Sequence, residues 1–308
     1  MTGARVLVVG ASGFLGRHLC PRLRGAGAEV HAVSRRPAPA HPAAERWWAV
    51  DVADEAATRA LVSAVKPDVV VHLGALTHAA PDLALVLPTF RSALASTVNL
   101  LAALTEQGCR RIVLTGSIEE PVGDATVVRP ASPYAAAKWA ASAYARMFHA
   151  LYQAPVVIAR LTLAYGPKQL ERKVIPSTIL ALLRGQRPRV SSGTRSWDFI
   201  YVDDAVEALV RLAEGRGPDG ATVDIGTGRL TTLRTVAEQL TAIVDPTLAP
   251  MFGAVVDRPL TESRAADAAA TAAMLDWRAT TSLEAGLRRT VDWYRAHMAQ
   301  SHHHGVDI

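Results

Sequence analysis

The tightest constraint on this chain lies in residues 5 to 16. A compact β-branched run, Arg5–Val9, leads directly into Gly10-Ala-Ser-Gly13-Phe-Leu-Gly16, and a helical pattern over Phe14–Leu23 follows. Strand, glycine turn and helix in that order is the context a dinucleotide-binding loop requires. Glycine permits the tight turn, lets backbone approach a pyrophosphate, and lets the helix pack closely on its strand. The helix start then offers N–H donors to the phosphates. Gly10, Ser12, Gly13, Phe14 and Gly16 are therefore candidate cofactor contacts, although a bare glycine triplet also fits a plain structural turn.

The first half of the chain repeats this alternation. Glu29–Ser34, Trp47–Val50, Asp68–Leu73, Arg111–Ser117 and Val156–Leu161 read as strands, and Glu55–Ala64, Leu94–Gln107 and Tyr134–Tyr152 as helices. Continuous apolar strands between helices predict an α/β fold, with a parallel sheet buried on both faces. From Tyr165 the rhythm changes. Pro167, Pro176 and Pro188 interrupt it, and helices near Ile175–Leu183, Val202–Leu212, Leu233–Val244 and Leu283–Met298 alternate with short strands. The expected organisation is a dinucleotide-binding domain over 1–164, a smaller lobe over 165–300 and a tail over 301–308. Residues 36 to 42 form a proline-rich loop.

Composition narrows the function classes. Half of the 308 residues are hydrophobic, which supports a proper core and argues against disorder. The apolar runs are short and interrupted, so no membrane span is expected, and the N-terminus lacks a secretion-type apolar stretch. Cys20 and Cys109 alone make neither a disulfide framework nor a metal site, which points to a reducing cytoplasm and no metal. The net charge is +5, but only four of the 33 basic residues are lysine, and the 29 arginines are scattered among acids. No basic run is interleaved with aromatics, so no nucleic-acid partner is expected. The histidines at 302, 303 and 304 belong to the tail and are left out of any metal argument.

Two further features carry chemistry. The second strand ends in Ser34-Arg35-Arg36 where an NAD site usually has an acid for the ribose 2′-hydroxyl. Two guanidiniums suit a 2′-phosphate, so NADP(H) is preferred and NAD(H) remains possible; a solvated basic turn is the plainer alternative. Asp51 and Val52, ending the third strand, are placed for the adenine, though Asp51 also fits a helix cap. The other feature is Ser117 with Tyr134-Ala-Ala-Ala-Lys138. Tyr and Lys at i, i+4 share a helix face. A nearby ammonium favours the phenolate and lowers the phenol pKa, making Tyr134 a candidate general acid/base with Ser117 holding the same oxygen.

Together these segments resemble the extended short-chain dehydrogenase/reductase family, the nucleotide-sugar epimerase, dehydratase and reductase group. The resemblance covers nearly the whole chain. It extends through His72-Leu-Gly-Ala75, Arg160-Leu-Thr-Leu-Ala-Tyr-Gly-Pro167, Trp197-Asp-Phe-Ile-Tyr-Val-Asp-Asp204, Asp224-Ile-Gly-Thr-Gly228, Leu275-Asp-Trp277 and Leu283-Glu-Ala-Gly-Leu287. It implies a Rossmann-type doubly wound parallel sheet with a smaller C-terminal α/β substrate lobe. It also implies Ser117, Tyr134 and Lys138 as the catalytic set, with Leu73, Gly74 and Ala75 along the cofactor. Glu119 falls where dehydratases of the group carry the glutamate that removes a C5 proton, and a solvent-facing loop glutamate is the alternative. The chain departs from the group's pattern at Leu163, usually Asn, and at Trp197, usually Arg. The adjacent acid of many dehydratases is Ile118 here, and the asparagine usual near Ala93 is missing. Lys168, Arg172, Lys173 and Arg195 could supply replacement cations for a substrate diphosphate, with Trp197 beside them. Relatives commonly dimerise through helices matching Leu94–Gln107 and Pro133–Tyr152, which implies a homodimer.

An NADPH preference tilts the expectation toward a ketoreductase acting on a 4-keto-6-deoxy sugar nucleotide, with Tyr134 as the acid. The alternative is a nucleotide-sugar 4-epimerase or 4,6-dehydratase with retained NAD(P). A reductase of a non-sugar ketone and a non-catalytic dinucleotide-binding regulator follow.

Overall fold

The computed structural model describes residues 1–36, 43–121, 129–257 and 262–303, with side chains to residue 299. Most of the expected proline-rich loop (37–42) and the end of the expected tail (304–308) lie outside the described residues. Seven strands form the main sheet, in the order β3-β2-β1-β4-β5-β6-β9. They are β1 (Arg5–Val9), β2 (Glu29–Ser34), β3 (Arg46–Ala49), β4 (Val69–His72), β5 (Arg111–Ser117), β6 (Val156–Leu161) and β9 (Thr222–Ile225). Every pair in it is parallel. The doubly wound α/β expectation holds.

Period-2 alternation explains the two cores. Val6, Val8, Val69, Val71, Val113 and Val157 face one side, under α1 (Phe14–Gly25) and α7 (Val202–Ala213). Leu7, Val9, Val70, Ile112, Leu114 and Ile158 face the other, under α2 (Glu55–Val65), α4 (Ser96–Gln107) and α5 (Pro133–Tyr152). A strand buried on both sides has no polar positions to alternate with, which is why these strands read as continuous apolar runs. Caps set the helix starts: Asp54 accepts from Ala57 N at 2.8 Å for α2, and Ser132 accepts from Ala135 N at 3.1 Å ahead of Pro133 for α5.

The change of rhythm at residue 165 is not a clean division in space. Helix α7 packs on α1, and β9 returns to the edge of the main sheet beside β6. What lies outside the main layers is a three-stranded sheet of β7 (Leu163–Tyr165), β8 (Ser196–Tyr201) and β10 (Leu230–Thr232). It is flanked by α6 (Val174–Leu183), α8 (Leu233–Val244) and α10 (Leu283–His303), and α9 (Ala268–Leu275) packs against β9.

The helix expected over Leu94–Gln107 begins earlier. A 3-10 turn (Leu83–Leu85), α3 (Val86–Thr89), a π-helical stretch (Phe90–Ala95) and α4 run on without a break. This 25-residue run, with a mean hydropathy of 1.3 over its most apolar 18 residues, is by length and composition alone long and apolar enough to cross a membrane. That corrects the expectation that no segment is. The run nevertheless inserts Leu100, Leu101 and Leu104 into the sheet's second core.

Candidate active site

The strand order reverses between β1 and β4, and open α/β sheets bind ligands beyond the carboxyl ends of the strands at such a point. A cavity of about 620 Å³ opens there. It runs from the glycine loop past Ser117, Tyr134 and Lys138 to the outer sheet.

At one end the backbone forms a cradle that a dinucleotide fits. Gly10 has φ +86°, and a Cβ on it would lie 2.9 Å from Gly74 N, so two loops meet with no room for a side chain. A Cβ on Gly16 would sit 2.5 Å from Ala11 Cα, which lets α1 press against its strand. Helix α1 has neither a side-chain cap nor an acid in its first turn, which leaves its N–H groups for an anion. Gly10, Gly13, Phe14, Gly16, Leu73 and Ala75 line the cavity. Ser12, Ser34, Arg35, Arg36, Asp51, Val52 and Gly74 are not part of its wall. Gly74 lies directly behind Gly10, and Arg35 and Arg36 stand exposed at the end of β2. Ser34 Oγ accepts from Trp47 Nε1 at 2.9 Å. Asp51 accepts from Ala53 N at 3.1 Å, and the cap of α2 is Asp54, not Asp51.

Ser117 ends β5, and Tyr134 and Lys138 lie one turn apart on α5; all three reach the same wall. Lys138 is buried, and its ammonium donates to Thr115 O at 2.7 Å. Burial lowers its pKa to about 8, against the raising effect of Glu120. The expected lowering of the Tyr134 pKa is reversed. Burial of the hydroxyl pushes it above the ordinary value, the hydrogen bond with Ser117 opposes this, and the charges of Glu119 and Glu120 add to it. In the free chain desolvation of the phenol therefore outweighs the hydrogen bond with Ser117. His72, beneath Lys138, is held neutral, with its pKa lowered to about 3 by burial and by the lysine's charge.

At the far end Leu163, Trp197 and Phe199 make an apolar wall, and Arg172, Lys173, Arg189 and Arg195 bring positive charge. Lys173 Nζ donates to Thr77 O at 2.5 Å across the cavity mouth. Arg195 Nη1 is buried with no hydrogen-bond partner. Lys168 is not among the residues that line the cavity; it is exposed, in a left-handed conformation at φ +65°. Glu119 is on the wall, beside Ser117 and Tyr134.

The family model described as the NAD dependent epimerase/dehydratase family matches residues 6–226. The chain belongs to that family. Among curated members, a dTDP-glucose 4,6-dehydratase of Mycolicibacterium smegmatis is 32% identical, over 95% of this chain and 93% of its own. A UDP-glucose 4-epimerase of the same organism is 30% identical, over 94% and 98%. Among solved structures, MoeE5 in complex with UDP-glucuronic acid and NAD superposes with a TM-score of 0.84 at 30% identity, over 95% of this chain and 99% of its own. The chain is thus an enzyme of the nucleotide-sugar epimerase/dehydratase group, with a cradle that fits a nicotinamide dinucleotide.

Family membership does not by itself point to Arg189, Gln169 or Asp257, which also line the cavity. They arrive from three separate segments, and no spacing in the chain links them. Glu120 follows directly on Glu119 in the chain, and nothing in that spacing tells the roles of the two acids apart.

Proposed function

We propose that this enzyme returns the hydride to its own sugar intermediate, as a nucleotide-sugar 4,6-dehydratase in the first reading. Glu119 on the cavity wall beside Ser117 and Tyr134 carries that reading, because a carboxylate there suits removal of the sugar's C5 proton. Ile118, buried where many dehydratases carry an acid, favours a 4-epimerase as the second reading. The ketoreductase expectation yields to these, since two curated relatives at 30% identity or more over nearly their full length are a dehydratase and an epimerase.

A bound nicotinamide dinucleotide supplies a reversible hydride acceptor. Tyr134 takes the proton of the sugar's 4-hydroxyl as C4 is oxidised; in the dehydratase reading that oxygen stays a ketone in the product, and only in the epimerase reading does Tyr134 return a proton to it. Ser117 donates to that oxygen and keeps it against the phenol. Lys138, cationic below about pH 8, offsets the negative charge that appears when the phenol ionises. Glu119 accepts the C5 proton once a 4-keto group has acidified it and returns it to C5 after hydroxide has left C6; the proton that Tyr134 took balances that hydroxide as water. Arg172, Lys173 and Arg195 hold the diphosphate, with the orphaned Arg195 Nη1 aimed at a phosphate oxygen, and Trp197 packs beside them. The outer lobe is in this reading the substrate-binding part. The test is incubation with dTDP-glucose and UDP-sugars without added reductant. The expected product is a 4-keto-6-deoxy sugar nucleotide, lighter by one water; turnover only on adding NADPH to a 4-keto sugar restores the ketoreductase.

NADP(H) remains the preferred cofactor, resting on the exposed pair Arg35 and Arg36, although MoeE5 was solved with NAD. Replacing both with Ala should weaken NADPH binding about tenfold in a fluorescence titration and leave NADH within about twofold. Equal affinity of the wild type for the two overturns the preference. Leu83, Leu87 and Phe90 are exposed near Trp139 and Tyr144 of α5, an apolar face that suits a homodimer. Light scattering at the monomer mass would sink that assignment. The two thiols, Cys20 and Cys109, are free, which fits a reducing cytoplasm.

A further inference from the structure

Glu120 stands apart from the machinery above: it lies behind the cavity wall, buried to 6% exposure. A buried carboxylate is costly unless its oxygens are satisfied, and Glu120 makes no ion pair among the described residues. Ser117 N donates to its Oε1 at 2.7 Å, and a side-chain hydrogen bond with Ser142 adds to this. The topology explains why that N–H needs a partner. Successive N–H groups of a strand point to opposite neighbours. Ile118 N donates to Leu161 O on the β6 side, so Ser117 N points to the β4 side. Strand β4, however, ends at His72, paired with Leu114, three residues earlier. Without Glu120 the last N–H of β5 would be an orphan at the residue whose hydroxyl faces Tyr134.

The surroundings are shaped for that carboxyl. A Cβ on Gly116 would come within 2.7 Å of Glu120 Oε1, so the glycine leaves the space it occupies. The turn closes on itself through Glu120 N to Ser117 O at 3.0 Å and Glu119 N to Ser117 Oγ at 3.2 Å. An aliphatic side chain would fill the site at lower desolvation cost but would leave Ser117 N unpaired.

We propose that Glu120 is a positioning residue that clamps the Ser117 backbone and so aims the Ser117 hydroxyl at Tyr134. The proposal rests on the reading that Ser117 and Tyr134 act on one substrate oxygen. Burial raises the Glu120 pKa, and the Ser117 N–H, the hydrogen bond with Ser142 and the charges of Lys138 and Arg160 oppose that rise. The clamp needs the acceptor oxygen, not the charge, so Gln can replace Glu while Val cannot.

The test uses the full chain carrying Glu120→Val, Glu120→Gln and Glu120→Asp, the first also combined with Ser117→Ala. In Glu120→Val the Ser117 amide should exchange about tenfold faster by NMR, while the Leu114 amide in the middle of β5 is unchanged. With the sugar nucleotide that the wild type turns over, kcat should fall about tenfold, with KM and dinucleotide affinity within about twofold. Glu120→Gln should restore both readouts to within about threefold, and adding Glu120→Val to Ser117→Ala should cost nothing further. If the valine variant does not fold, Glu120→Asp, which keeps the charge but shortens the reach, should give the same faster exchange and lower kcat. An unchanged Ser117 amide overturns the clamp, as does a kcat loss that persists in full in the Ser117→Ala background. If the wild type turns over no sugar nucleotide, the functional reading fails, and the amide exchange still decides the clamp.

Discussion

Tyr134→Phe should lower turnover by about a thousandfold or more, the range expected when a general acid/base is lost, and leave dinucleotide binding within about twofold. The ring keeps its place on α5 between Pro133 and Ala135, so the fold has no cavity to absorb. Only the hydroxyl that shares a hydrogen bond with Ser117 disappears. The other tyrosine among the described residues of this wall, Tyr165, is engaged elsewhere, donating to Leu283 O at 3.2 Å. Steady-state kinetics together with a fluorescence titration check both halves, and turnover within tenfold of wild type removes Tyr134 from the mechanism.

Lys138→Met should abolish turnover as well, yet raise the melting temperature. The lysine is buried, and folding shifts its pKa from 10.5 to about 8. Between those values the unfolded chain holds the extra proton, so wild-type stability rises with pH across that window. Below pH 8 the full penalty of the buried charge applies, about 3 kcal/mol for such a shift. Methionine fills the same volume without a charge and gives up the bond to Thr115 O, which offsets about 1 kcal/mol. The net gain of about 2 kcal/mol corresponds to a rise of about 4 °C at pH 7. The gap should be constant below pH 8 and close toward pH 10.5. A variant that melts below wild type at pH 7 contradicts the buried-charge penalty. Stability sacrificed at a functional lysine is the expected direction of such a trade.

Both arguments need groups whose placement was partly legible in the chain. Local pattern is enough for the elements nearest the site: Arg5–Val9 and Arg111–Ser117 are found at the expected residues, because strands buried on both faces leave an unbroken apolar signature. The glycine loop is legible for a related reason, since close backbone approach admits only one residue type. The helical run from Leu83 escaped notice because its exposed apolar positions blur the helical period. Lys168 was grouped with Arg172 and Lys173 by proximity in sequence, and a left-handed turn sends it elsewhere.

What the amino-acid order alone carried is the parallel sheet and the glycine loop, each encoded within a few residues by period or turn chemistry, together with Ser117, Tyr134 and Lys138 as candidates. Proton affinities came only from the folded chain. The phenol of Tyr134 moves up and not down because burial, a property of every neighbour at once, outweighs the hydrogen bond with Ser117. Part of the far wall came from the fold too, as Gln169, Arg189 and Asp257 line one cavity from segments that no local rule connects. Glu120 shows the same division: its identity is plain in the sequence, but its purpose appears only where β4 stops short of Ser117.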